Sequence, residues 1–224
     1  ASAAGFLLLT VGLGTPLMLL LVCGLGLIGS LRWWKNALSA KEFQSVLGSF
    51  RGGTAVERIL FLLAGGMVLC AALVPPLGYD AHEYHLAVPQ VYLTAGGWVA
   101  MPLNVYAGFP MNAEMLYLWP LALQSSAGCT VINGVLALVG ALALLPLGRR
   151  WGIQANPLLA PLIFLSAAFV LKLIVQANID LALTAAAAIL FLAYERYRQD
   201  ASRLDGVMLA LALGFALGAK YIAI

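Results

Sequence analysis

The feature that most constrains this chain is a succession of apolar runs cut by short clusters of basic residues. The runs cover residues 5–28, 58–77, 130–147, 157–175 and 181–194, and a last one opens at Asp205 or Gly206 and continues to Ile224. A helix needs about 20 apolar residues to cross the hydrocarbon core of a bilayer. Of the 224 residues, 63% are hydrophobic and 9% charged, and mean hydropathy is +0.98. A soluble domain carries roughly 25% charged residues. The expected fold is therefore all-α: a polytopic transmembrane helix bundle, integral to the membrane. No basic run of the nucleic-acid-binding type occurs. The three cysteines, Cys23, Cys70 and Cys129, have no metal spacing, and the first two sit inside apolar runs as small hydrophobes. The first 30 residues lack a basic leader, so the run 5–28, with Pro16 as a kink, is expected to be a membrane helix rather than a cleaved signal. The chain stops inside an apolar run, as the N-terminal part of a longer protein would.

Lysine and arginine in short loops set orientation. Segment 31–58 contains Arg32, Lys35, Lys41, Arg51 and Arg58. The short connections after the third and fifth of these runs hold Arg149 and Arg150, then Arg196, Arg198 and Arg203. These segments are expected on the cytoplasmic side. Loops 78–129 and 176–180 contain no Lys or Arg and are expected outside. The alternation closes only if the apolar stretch 111–123 does not cross but lies at the outer interface, which leaves six spans. A weak helical pattern at Leu38, Phe43, Val46 and Leu47 predicts a surface helix over 38–50. Pro75-Pro76 should stop the second span. A short helix is predicted over 85–94, ended by Gly96-Gly97.

The external loop GYDAHEYHLAVPQVYLTAGGWVAMPLNVYAGFPMNAEMLY carries Asp80, Glu83, Glu114, His82 and His85 without a single cation. A carboxylate beside a membrane can act as general base for an acceptor hydroxyl. A pair of carboxylates can instead hold a divalent metal. Asp80 can also cap the helix that follows, with Glu83 as its capping-box partner, and Asp180 can cap the run 181–194. Asp80 and Glu83 share a face if 80–85 is helical. His82 and His85 are spaced for metal binding with a carboxylate, but a third histidine is lacking, so hydrogen bonding to substrate is the better expectation. Tyr79, Tyr84, Trp98, Tyr106, Tyr117 and Trp119 suit an interfacial aromatic belt or a stacking surface for a sugar. Lys172 and Lys220 break the charge alternation near the outer side. They either snorkel to headgroups or form a cation pair for a phosphate.

The ordered features VPPLGYDAHEYHLAVPQVYLTAGGW, FPMNAEMLYLWPLAL, VINGVLALVGALALLPLGRRWG, ANIDLALT and LALGFALGAKY resemble the GT-C superfamily of integral-membrane glycosyltransferases, such as protein O-mannosyltransferases and aminoarabinose transferases. The resemblance covers 58–224, a truncated transmembrane core, and leaves 1–57 as an extra N-terminal span with its cytoplasmic loop. Two departures stand out: Ala81 follows Asp80 where the family often has a second acid, and no arginine follows in the loop. The resemblance implies transfer of a sugar from a polyprenyl-phosphate lipid, with inversion, at the outer face of a membrane such as the bacterial inner membrane. Asp80, Glu83 and Asp180 then form the catalytic set, with Asp80 as base. Lys172, Lys220, His82, His85, Glu114 and Tyr84 bind substrate. A different class of reading is a non-catalytic GT-C-like subunit within a larger membrane complex. A transporter is disfavoured by the scarcity of charge in the inner halves of the spans.

Overall fold

The computed structural model describes residues 2–22, 24–25, 41–153 and 155–220. Cys23, the end of the first apolar run, Arg32, Lys35 and Leu38 lie outside the described residues. The described chain is all-helical, with no strand among these residues. Its helices are α1 (Ser2–Thr10), α2 (Lys41–Gly52), α3 (Ala55–Ala72), α4 (Ala87–Ala95), α5 (Leu118–Ala122), α6 (Ala127–Arg150), α7 (Leu159–Ser166), α8 (Ala168–Val175), α9 (Asp180–Asp200) and α10 (Arg203–Ala219), with a further helical stretch at 16–22. Helices α3 and α6 are long and apolar enough to cross a membrane.

Two expected spans are broken. The run 5–28 does not form one kinked helix: α1 ends at Thr10, Gly12 turns left-handed at φ +73°, and helix resumes at Pro16. Proline disfavours a helical residue before it, so Pro16 starts a helix instead of bending one. The freed backbone is tied to the acidic loop 78–129: Gly14 N donates to Gly96 O and Trp98 N to Leu9 O. The run 157–175 breaks at Ala167, which is extended at φ −65°, ψ 121°. No glycine or proline stands there, and nothing in the sequence marks the break.

Other boundaries follow local chemistry. Thr54 and Glu57 form a reciprocal capping box that starts α3 one turn before the apolar run. Helix α3 stops just before Pro75-Pro76. Helix α4 ends at Gly96, left-handed at φ +70°, where a side chain would be strained. Stretch 111–123 does not form a crossing helix; it is a single 3-10 turn, Glu114–Leu116, followed by the five-residue α5.

The charges separate to opposite ends. At one end, α2 lies against the end of α6, with Gly48 facing the Arg149 guanidinium and Gly53 facing Leu158. Arg150 reaches Gln199, and Arg196 pairs with Asp205 at 2.7 Å. At the other end, Thr130 Oγ1 donates to the Ala72 carbonyl and Leu77 N to Val175 O. Small residues let the helices meet: a Cβ on Gly134 of α6 would come 2.7 Å from Ala72 Cβ of α3. One core joins α3, α6, α7 and α8 through residues such as Val68, Ala141, Leu165 and Ile174. The second joins Leu9 and Leu19 to the acidic loop through Tyr92, Met115, Tyr117 and Leu118. The outer faces are greasy: Leu62, Leu63 and Leu73 of the α3 region and Leu211 of α10 are all more than half exposed.

Candidate functional site

The loop 78–129 is held by its backbone. Gly78 packs so tightly on Gln176 that a Cβ there would meet the Gln176 carbonyl at 2.9 Å. This seats the acidic loop on the connection that carries Asp180. That connection is pinned in turn from α6 and the 111–123 stretch. Asn133 Nδ2 donates to Asn178 O at 2.9 Å, and the buried Tyr117 hydroxyl lies 2.9 Å from Asn133 Oδ1 and 3.0 Å from Ala177 O. Residues Ala81–His85 form a single π turn, closed by Leu86 N to Ala81 O at 2.8 Å. Such wide turns recur at functional sites.

The turn carries His85 inward, where it is 2% exposed, against Glu114, which is 1% exposed. His85 Nδ1 lies 2.8 Å from Glu114 Oε1. The remaining polar atoms of the pair, His85 Nε2 and Glu114 Oε2, are buried without a partner. Both residues line a cavity of about 120 Å³, together with Tyr84, Phe109, Pro110, Ile179, Ala219 and Lys220. Lys220 is extended just past the end of α10, and its Nζ donates to Asp180 Oδ1 at 2.6 Å. Both side chains of that pair are about 30% exposed. Tyr84 stacks on Tyr106 at 4.5 Å, and Tyr106 meets Phe109 edge-on. Burial pushes the Tyr84 hydroxyl up to about 12, with the charges of Asp80, Glu114 and Asp180 adding to the effect. Three carboxylates from three separate segments thus act on one phenol.

Comparison with protein families, with curated protein sequences and with solved structures finds no match.

The structure brings together some of the expected residues and separates others. Asp180 and Lys220 meet directly, while Tyr84, His85 and Glu114 line the same cavity as Lys220. Asp80 is exposed at the start of the π turn and makes no capping hydrogen bond; Asp180 makes none for α9 either. Glu83 turns elsewhere: its carboxylate holds the Tyr79 hydroxyl above the ordinary tyrosine range, and its carbonyl accepts from Asn104. Asp80 and Glu83 are not a capping box, because the π turn places them differently from an α-helical turn. His82 Nε2 contacts the Pro76 carbonyl at 3.0 Å, so it braces the loop and does not line the cavity. Lys172 is exposed on α8 and does not line it either. Asn112 does not face the cavity as a polar wall; it packs on Gly218 and donates to Phe215 O. Among the described residues no three His, Cys, Asp or Glu side chains gather as a metal-holding group. Sequence reasoning named His85 and Glu114 separately and missed their pairing, and it missed Phe109 and Pro110 altogether. The available signal was Glu114 itself, a lone acid in an apolar stretch.

Proposed function

We propose that this chain is a multi-pass membrane glycosyltransferase of the GT-C kind, using a polyprenyl-phosphate sugar at the outer face. The observation that carries the reading is Lys220, paired with Asp180, in the wall of a cavity that the acidic loop lines through Tyr84, His85, Phe109, Pro110 and Glu114. A cation there can hold a phosphate, and carboxylates around it can take a proton. Helices α3, α6, α9 and α10, with α7 and α8 as one broken span, would cross the bilayer. The exposed leucines on their outer faces suit lipid. The arginine-rich end would be cytoplasmic and the end with the acidic loop external.

In this mechanism Asp80 accepts the proton of the acceptor hydroxyl as that oxygen attacks the anomeric carbon. The bond from that carbon to the phosphate oxygen breaks, and its electron pair leaves on the polyprenyl phosphate. Lys220 offsets the charge of the leaving phosphate, released in part from Asp180. A general base contributes about 10²–10⁴-fold. Asp80→Asn is therefore expected to lose that much transfer activity with polyprenyl-phosphate sugars while inserting in membranes normally. Full activity in Asp80→Asn would remove the catalytic assignment. A fixed assembly with other membrane proteins, and no transferase activity in any variant, would identify a structural subunit instead.

A further inference from the structure

The His85–Glu114 pair has no task in the mechanism above, yet it is the most buried polar feature of the cavity. Its unpartnered atoms define what it can bind. If His85 is neutral and its Nδ1–H donates to Glu114, then Nε2 and Glu114 Oε2 are both acceptors. If His85 is protonated, Nε2 becomes a donor while Oε2 remains an acceptor. In both states the pair carries zero or one negative charge, which disfavours an anion. A hydroxyl, which donates and accepts, satisfies either state. Lys220 on the same cavity has the opposite preference. The cavity is thus two-sided, with a cation on one wall and a hydroxyl-seeking dyad on another. Pro110 and Phe109 add an apolar surface suited to the C–H face of a ring.

We infer that the His85–Glu114 dyad is the sugar-recognition subsite, binding ring hydroxyls of the donor while Lys220 faces its phosphate. This rests on the transferase reading, and it names the part of the substrate that the dyad takes. Glu114 positions the His85 ring, and His85 Nε2 with Glu114 Oε2 contacts the sugar.

The test is binding by the full chain in nanodiscs. The probes are polyprenyl phosphate and a panel of polyprenyl-phosphate hexoses and pentoses. The wild type should bind at least one sugar-bearing lipid more tightly than the bare lipid. Hydrogen bonds to a charged group predict a preference of roughly 10- to 100-fold. Glu114→Gln and His85→Asn should lose the preference yet bind bare polyprenyl phosphate as before, which also reports that they are folded. Asparagine places its amide near the Nδ1 position and leaves Nε2 empty. His85→Gln, whose amide reaches the Nε2 position, should recover part of the preference. A purely structural histidine would give no such ordering. An unchanged sugar preference in Glu114→Gln and His85→Asn overturns the inference, as does a wild type that binds every lipid in the panel alike. Failure of the wild type to bind bare polyprenyl phosphate removes the transferase reading, and the dyad assignment falls with it.

Discussion

Breaking the Lys220–Asp180 contact gives the most direct measure of how the site is held. At 2.6 Å the gross attraction is about 6 kcal/mol at an effective dielectric near 20. Desolvation offsets most of this. Exposed pairs are worth about 0–1 kcal/mol, whereas breaking a buried pair costs about 3–5 kcal/mol. With side chains 29% and 30% exposed, this pair falls between, and a coupling of about 1–2 kcal/mol is expected. The assay is a double-mutant cycle with Lys220→Met, Asp180→Asn and the double variant. Unfolding can be followed with a thiol-reactive dye on the buried Cys129, after replacing Cys23 and Cys70 by serine. Each kilocalorie shifts the midpoint by roughly 2–4 °C for a chain of this size. The double variant should be more stable than the sum of the single losses predicts. Additivity within about 0.3 kcal/mol would refute the pairing. With it would go the charged contact that joins the end of α10 to the start of α9.

Three further outcomes are expected. Tyr84 binds its proton more tightly folded than unfolded, so the unfolded chain ionises first as pH rises; stability from this group should be intact below pH 10 and lost between 10 and about 12, a loss that Tyr84→Phe should reduce. In intact cells an impermeant thiol reagent should label Leu103→Cys, which is fully exposed in the acidic loop, and spare Gly52→Cys, where a side chain meets no neighbour; the reverse pattern would invert the orientation. Gly134→Ala should destabilise by about 1–3 kcal/mol, because the added methyl presses on Ala72 and forces α3 and α6 apart; an unchanged dye-unfolding midpoint would contradict the packing.

The apolar runs, the basic clusters and the helix stops belong to local sequence, and they were legible for that reason. Helices α3, α6, α9 and α10 begin or end within a few residues of where hydropathy, proline, caps and charge place them. That 111–123 forms no crossing helix was legible too, though indirectly, from the charge pattern around it; that it forms a 3-10 turn and the five-residue α5 was not. The split of 157–175 at Ala167 was not legible: its prolines, Pro157 and Pro161, lie away from the break, and both halves pack against α3 and α6. The site divides the same way. That Asp180 and Lys220 end up at one face follows from two antiparallel helices joined by a short turn, a matter of length and direction. That His85 meets Glu114, 29 residues away, follows from a π turn in one segment and a 3-10 turn in another, both irregular. Neither turn has a sequence period. Their side chains are aimed by the tertiary contacts that satisfy backbone groups around them: Gly78 against Gln176, Gly14 against Gly96, and Tyr117 against Ala177. Periodicity could place the acids at one depth of the bundle, and only these long-range contacts decided which of them face the cavity and which turn away.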